Sequence, residues 1–566
     1  MRSHSARIIL VLLLTMLLAG PVFAGGQQEG EPQTGGTDAA VVVPEGEYAY
    51  QNMSTDAYEL ELFFYASWGS GYDPTGEELT AQIEKEKTGV TVDVTVPGGG
   101  DQEFLNLLVA SGDLPDVMVL EVGDPMIQRM ADNDLIYSYQ ELAEQYAPNF
   151  FELIPDEIEA FHSFEDGNLY YLPSFHYLAD DFQNAASQTN MRLWHYRSDI
   201  WEELGRPVID SPESAIEVLS RVKEEYPNIE PMAFSESNPV DPFHNVNMNM
   251  FATAFGEFKG NTVERYMFYE PSANKVLYPW RSPAYLETYE FFNRMFREGI
   301  LEPELVILPT EQSTERRNNG EFFWIPAFET PNRENTSIRQ NLGEDAVYRM
   351  GHVFKANDRE PTYPSNRGLG WTGLIITKNA EDPRKVTRWA QYRWSQEGQW
   401  DSQFGVEGET YTLQDGAEYG RPGQQVPVPT DEVRELRQTD QAEWTARYGF
   451  DRSMVWRPEM IGHRDFFKSD YALDVYETRN EYAVDYVDDG YFNIEPASGT
   501  DQAVIHTQIK DIWTRASVEL ILADSDEEFQ EIYDQAVADS EAAGASRVEE
   551  VFLKRRNDLR AQFEGN

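Results

Sequence analysis

Aromatic and hydrogen-bonding side chains recur together in this 566-residue sequence where strands are expected to end or begin. Trp68 and Tyr72 lie in Ser67-Trp-Gly-Ser-Gly-Tyr72, Trp194 and Arg197 in Leu193-Trp-His-Tyr-Arg197, and Trp371 follows Arg367. Trp324 sits in the apolar run Phe322–Ile325, and Asp116 precedes the run Val117–Leu120. A flat aromatic ring offers an apolar platform, while Asp, Asn, Gln and Arg offer in-plane paired hydrogen bonds. The combination suits a pyranose, whose ring has an apolar face and a rim of hydroxyls. Each residue also has a plainer use. Trp is most often a core residue, Asp116 can cap a turn, and Arg197 and Arg367 can pair with surface acids.

Bond-making chemistry has little support. H-E-x-x-H, G-x-S-x-G and G-x-x-x-x-G-K-[ST] are all missing, there is no cysteine, and the eight histidines, His162, His176 and His463 among them, show no helical ligand spacing. A glycosidase needs two facing carboxylates, but among 99 acids any spacing can be found, so a pair carries no information. Phe164-Glu-Asp-Gly-Asn168 is the nearest approach to a calcium loop and does not complete one. Neither enzyme activity, nor cofactor, nor metal is expected. The formal charge of −54 repels nucleic acid. With 34 Arg, 11 Lys and 99 Asp or Glu, the balance reads as a surface kept hydrated in high salt.

The elements that must position these residues follow an α/β pattern. Glu59–Ala66 reads as a strand entering a covered sheet, Glu77–Lys87 as a helix, and Val90–Val96 as a strand. Phe104–Val109 supplies the buried face of a helix that Gly112 can end and Pro115 prevents from restarting, and Val117–Leu120 follows as a strand. Ligands of open α/β sheets bind outside the carboxyl ends of the strands, which is where Trp68 and Tyr72 fall. Further on, Ser211 and Pro212 are the expected N-cap and first residue of a helix reaching Tyr226. Gly370–Lys378 reads as a strand and Arg384–Trp394 as an amphipathic helix, with two further helices at Trp513–Ile521 and Phe529–Gly544.

Four segments carry a family resemblance. Leu107-Leu-Val-Ala-Ser-Gly-Asp-Leu-Pro-Asp-Val117, Asp166-Gly-Asn-Leu-Tyr-Tyr-Leu-Pro173, Leu193–Gly205 and Ser395-Gln-Glu-Gly398 with Gly405-Val-Glu-Gly408 resemble segments of the large extracellular solute-binding proteins of carbohydrate ABC importers. The resemblance covers nearly all of the mature chain. It implies a two-lobe periplasmic-binding-protein fold of type II, like maltose-binding protein, with the ligand cleft between the lobes. It places Ser174–Tyr177 at a hinge, adding Tyr177 to the candidates. It also implies capture of a sugar or oligosaccharide, preferably neutral, for delivery to a membrane permease by a protein that is monomeric. An exported carbohydrate-active enzyme, or a sugar-sensing subunit for a histidine kinase, are the alternatives.

Arg2 and Arg7, the apolar run Ile8–Leu18 and Val22-Phe-Ala24 have the parts of a secretory signal, with cleavage expected after Ala24 and a periplasmic or extracellular destination. The absent cysteine removes the lipid anchor common among such proteins. Residues 25–57 have the composition of a solvated linker. The lobes are then expected at 58–178 with 365–430, and at 179–364 with 431–566.

Overall fold

The computed structural model describes residues 47–564, apart from some short stretches and the longer ones 67–73, 177–191, 235–254, 256–261, 357–362, 365–369, 416–422, 453–482 and 485–493. The expected signal and most of the expected linker lie outside the described residues.

Strand β1 (Tyr58–Phe64) alternates and then becomes wholly buried at Leu62–Phe64. It pairs in parallel with β2 (Val90–Thr95), Tyr58 opposite Val90, and with β3 (Val117–Glu121), Leu62 opposite Val117. Helices Leu79–Thr88 and Asp101–Ser111 make the crossovers, as parallel neighbours require. The chain leaves this sheet through β4 (Leu172–Pro173) and begins a second with β5 (Arg192–Arg197) and β6 (Glu230–Met232). A small antiparallel sheet follows, made of β7 (Thr262–Val263), β8 (Met267–Glu270) and β9 (Lys275–Leu277). With β10 (Phe322–Phe328) and β11 (Tyr348–Met350) the second sheet has the order β11-β5-β10-β6. After β12 (Tyr363–Pro364), strand β13 (Thr372–Ile376) returns to the first sheet and lies antiparallel between β3 and β4, giving β2-β1-β3-β13-β4. All five residues of β13 are buried, so it reads as a continuous apolar run.

Each face of the first sheet has its own core. One gathers Leu60, Leu62, Val119 and Leu374 under Trp389 and Trp394 of helix Pro383–Trp394; the other gathers Phe63, Met118, Leu120 and Ile375 under Leu105 and Met130. A separate core surrounds the second sheet and includes the C-terminal helices Asp501–Ile521, Asp526–Ala543 and Ala545–Glu564. There Trp280 stacks on Trp513 at 4.8 Å, and Asn293 Nδ2 donates to the carbonyls of Leu520, Ile521 and Ala523. The expected cap is present: Ser211 Oγ accepts from Ser214 N, with Pro212 at the first helical position.

The segment after β14 (Tyr411–Asp415) and β15 (Gln425–Pro429) does not respect a boundary at residue 430. Val433, Trp444, Tyr448 and Phe450 pack with Leu79 from the crossover helix of the first sheet, while helix Gln441–Tyr448 also meets helix Asn332–Asn341 on the side of the second sheet. Residues 431–450 touch both bodies.

Candidate functional site

The carboxyl ends of the three parallel strands and the amino end of antiparallel β13 make one edge of the first sheet. Thr372 lies opposite Glu121, and Val122 N donates to the Trp371 carbonyl at 2.9 Å. The strand leaving the sheet crosses here with the strand returning. Ser174 N donates to Thr372 O at 2.7 Å, Trp371 N donates to Ser174 O at 3.1 Å, and the Ser174 and Thr372 hydroxyls are 2.5 Å apart. The half-buried Trp371 packs on the sheet core at this crossing, as does Tyr65 at the end of β1. Glu121 and Asp124 bring carboxylates to the same edge; Asp124 accepts from Met126 N at 2.8 Å, and burial followed by the neighbouring Glu121 pushes its carboxyl pKa up. The edge thus joins aromatic surface to hydrogen-bond acceptors at the point where the chain passes between the two sheets.

Two glycines let the crossing close. A Cβ on Gly373 would sit 2.7 Å from the Tyr171 ring, and Gly370, at φ +122°, would bring one within 2.9 Å of Pro173 Cβ. Tyr171 cannot yield easily, because its hydroxyl is 2.9 Å from His162 Nδ1 inside the protein. Gly373→Ala is therefore expected to lose about 1–3 kcal/mol to overpacking, read as a lower urea midpoint at unchanged slope.

His176 is buried beside the crossing, with Nδ1 2.8 Å from the Pro173 carbonyl oxygen. Burial lowers its pKa to about 4, the hydrogen bond to Pro173 opposing only in part. The unfolded chain binds a proton near pH 6.5 and the folded one does not, so this histidine's stabilisation is present above pH 6.5 and is lost as pH falls from 6.5 towards 4. Urea midpoints at pH 7 and pH 5 should therefore differ more for the wild type than for His176→Gln; equal differences would remove His176 from the acid response.

The described candidates from the sequence do not converge. Trp371 alone of the described candidates stands on the edge. Asp116 is at the opposite, amino end of β3, where Oδ2 accepts from Glu61 N at 3.1 Å and Oδ1 from Glu381 N at 3.2 Å; it ties two segments together. A five-residue strand spans about 17 Å, so a residue before β3 cannot share the edge that follows it. Trp194 and Trp324 face one another across the β5–β10 pair with centroids 4.2 Å apart, at 4% and 1% exposure, as core residues of the second sheet. Arg197 is engaged by both oxygens of Asp199, at 3.1 and 2.5 Å, and by the Gly320 carbonyl. Trp68, Tyr72, Tyr177 and Arg367 lie outside the described residues. Tyr65, the last aromatic before the glycine-rich loop, stands on this edge although it is not among the sequence candidates. Asp166, in the loop nearest a calcium motif, accepts from Asn168 N, Asn168 Nδ2 and Tyr170 OH and so closes a turn. Among the described residues no three His, Cys, Asp or Glu side chains come together as a metal site, and no helix is long and apolar enough to cross a membrane.

No family model matches the chain. A fructooligosaccharide ABC transporter substrate-binding protein, FusA of Streptococcus pneumoniae serotype 4, is 29% identical over 159 residues, which is 28% of this chain and 29% of that protein's length. Among solved structures, the alginate-binding protein AlgQ2 without calcium superposes with a TM-score of 0.65 at 16% identity, covering 89% of this chain and 99% of its own. S. pneumoniae FusA in complex with kestose gives 0.62 at 18% identity, covering 89% and 100%. The chain therefore has the two-lobed solute-binding-protein fold.

Proposed function

We propose that this chain is an exported binding protein that captures an oligosaccharide between two lobes and presents it to the permease of an ABC importer, without chemical turnover. The observation that carries the reading is the superposition of 89% of this chain on essentially the whole of two proteins named for binding oligo- or polysaccharides. The Trp371 edge, at the crossing of the two bodies, supports it. A sugar stacked there would also reach the second lobe, and a ligand that touches both lobes favours the closed arrangement by its extra affinity for it. Trp68, Tyr72, Tyr177 and Arg367 remain the candidates expected to complete the site with Trp371, Tyr65 and Glu121. We place the first lobe at 58–174 with 370–430, the second at 192–364 with 494–564, and residues 431–452 between them. The neutral class is favoured, because the relative that shares sequence is a fructooligosaccharide binder and Arg197 is already committed to Asp199. The N-terminal signal supports export to the periplasm or beyond, and the working form is taken as a monomer.

A thermal-shift series on the chain from residue 25, in molar salt, against kestose, maltotriose and an alginate trisaccharide tests this. Ligand at 100 times Kd adds about 2.7 kcal/mol, enough to raise the melting temperature by a few degrees. A shift with kestose or maltotriose and intact sugar on chromatography is the expected result. Breakdown of the sugar would replace the binding reading with an enzymatic one.

A further inference from the structure

We infer that residues 431–452 form a clasp between the two lobes, fixed to the first and seated on the second, so that any change in the lobe angle must disturb the seat. The inference rests on the two-lobe binding reading but is tested without sugar. The fixed side is well built. Trp444 and Phe450 are fully buried and Tyr448 nearly so, in a cluster completed by Val433, Leu79 and Leu436. Tyr448 and Phe450 stack at 5.3 Å, and the Arg437 guanidinium lies 5.1 Å from the Trp444 ring centroid. Gly449, at φ +72°, ends the helix so close to the first lobe that a Cβ would be 2.6 Å from Thr80 Oγ1 and 2.7 Å from Glu78 Cβ. Beyond it Arg452 Nε stands 3.5 Å from Glu78 Oε1, a carboxylate with no exposure to water. Thr75 N also donates to Oε1 at 3.0 Å, and lifting the segment off the first lobe would expose Glu78 and take away the Arg452 cation that faces it.

The seat on the other side is equally tied to its own body. Helix Gln441–Tyr448 lies against helix Asn332–Asn341, and that helix is locked to the second sheet. Ile338 is buried in the second core, Asn335 Nδ2 donates to Tyr348 O at 3.0 Å, and Tyr348 N donates to Asn335 Oδ1 at 2.7 Å. Packed helices slide or separate as units, because close-packed side chains do not deform continuously. Two helices each held by a different body therefore register the angle between the bodies. This contact is distinct from the Ser174–Thr372 crossing and acts beside it, biasing the resting lobe arrangement towards the one in which the seat is made.

The chain has no cysteine, so Asp132→Cys with Glu217→Cys, one exposed position on a helix of each lobe, introduces a unique pair for spin labels. Pulsed dipolar spectroscopy without sugar then reads the spread of lobe separations. In the background of Trp444→Leu, which loosens the clasp, and of Arg452→Met, which removes the cation facing Glu78, the distribution is expected to broaden and shift relative to the labelled parent, with unchanged far-ultraviolet circular dichroism. Superimposable distributions in the parent and in whichever of the two variants folds would overturn the clasp. Neither result depends on whether kestose or any other sugar binds, so failure here and failure of the sugar reading are separate outcomes.

Discussion

Replacing Glu84 by alanine is expected to lower the stability of the protein by about 3–5 kcal/mol, the range found when one member of a buried ion pair is removed. Glu84 and Arg393 come from helices Leu79–Thr88 and Pro383–Trp394, and their side chains are 11% and 6% exposed. Arg393 Nε and Nη2 donate to the two carboxylate oxygens at 2.8 and 2.7 Å, and Trp389 Nε1 donates to Oε1 at 2.5 Å. Without the carboxylate, a guanidinium and an indole N–H stay inside with no acceptor, and Arg393 Nη1 already lacks one. Glu84→Gln keeps an acceptor and should cost less. Lys87→Met supplies the contrast: Lys87 pairs with Glu397 and Asp401 on the same helix face, but at 38% exposure solvent screens it, and its loss should cost at most about 1 kcal/mol. Urea titrations of the three variants decide the matter. If Glu84→Ala cost no more than Lys87→Met, the pair would not be what holds the returned segment to the first sheet.

Trp371→Ala is expected to weaken oligosaccharide binding about 10- to 100-fold, or roughly 1.4–2.7 kcal/mol, while leaving the fold largely intact. The ring is only half-buried and stands on the sheet edge, where the proposed sugar would meet it. Trp324→Ala should behave in the opposite way. Its ring is 1% exposed and packed on Trp194 and Phe354, so truncation should cost about 3–5 kcal/mol of stability, and the fraction that remains folded should bind sugar with unchanged Kd. Isothermal titration calorimetry at a temperature where both variants are folded separates the two effects. A Trp371→Ala protein that binds as tightly as the parent would move the site away from this edge; a Trp324→Ala protein that is stable and does not bind would move it to the second sheet.

The two tryptophans show where sequence reasoning stops. Both sit in or beside apolar strands, and nothing in Phe322-Phe-Trp-Ile325 or Gly370-Trp-Thr-Gly373 says which indole meets solvent. Trp324 lies inside β10, between β5 and β6 with cores around it, whereas Trp371 precedes the first residue of β13. One position along a strand, or one neighbour in the sheet, decides between core and surface. Asp116, which ties Glu61 N to Glu381 N, makes a related point. Its nearness in sequence to β3 was legible, but the end of the sheet at which it stands depends on the direction of that strand.

What the sequence by itself determined is whatever local chemistry and periodicity can dictate. The apolar runs at 59–66, 90–96, 117–120 and 370–378 gave strands, Ser211 and Pro212 gave a helix start, and the four resembling segments pointed to the fold that the superposition shows. These depend on residues close together in the chain, whose backbone preferences and burial act whatever the rest does. Only the tertiary structure decided that β13 lies antiparallel between β3 and β4, that Glu84 meets Arg393 across 309 positions, and that residues 431–450 rest on both bodies. Such contacts are chosen by the packing of whole faces against one another, and in a chain with 99 acids and 45 basic residues no local pattern marks which carboxylate will find which guanidinium.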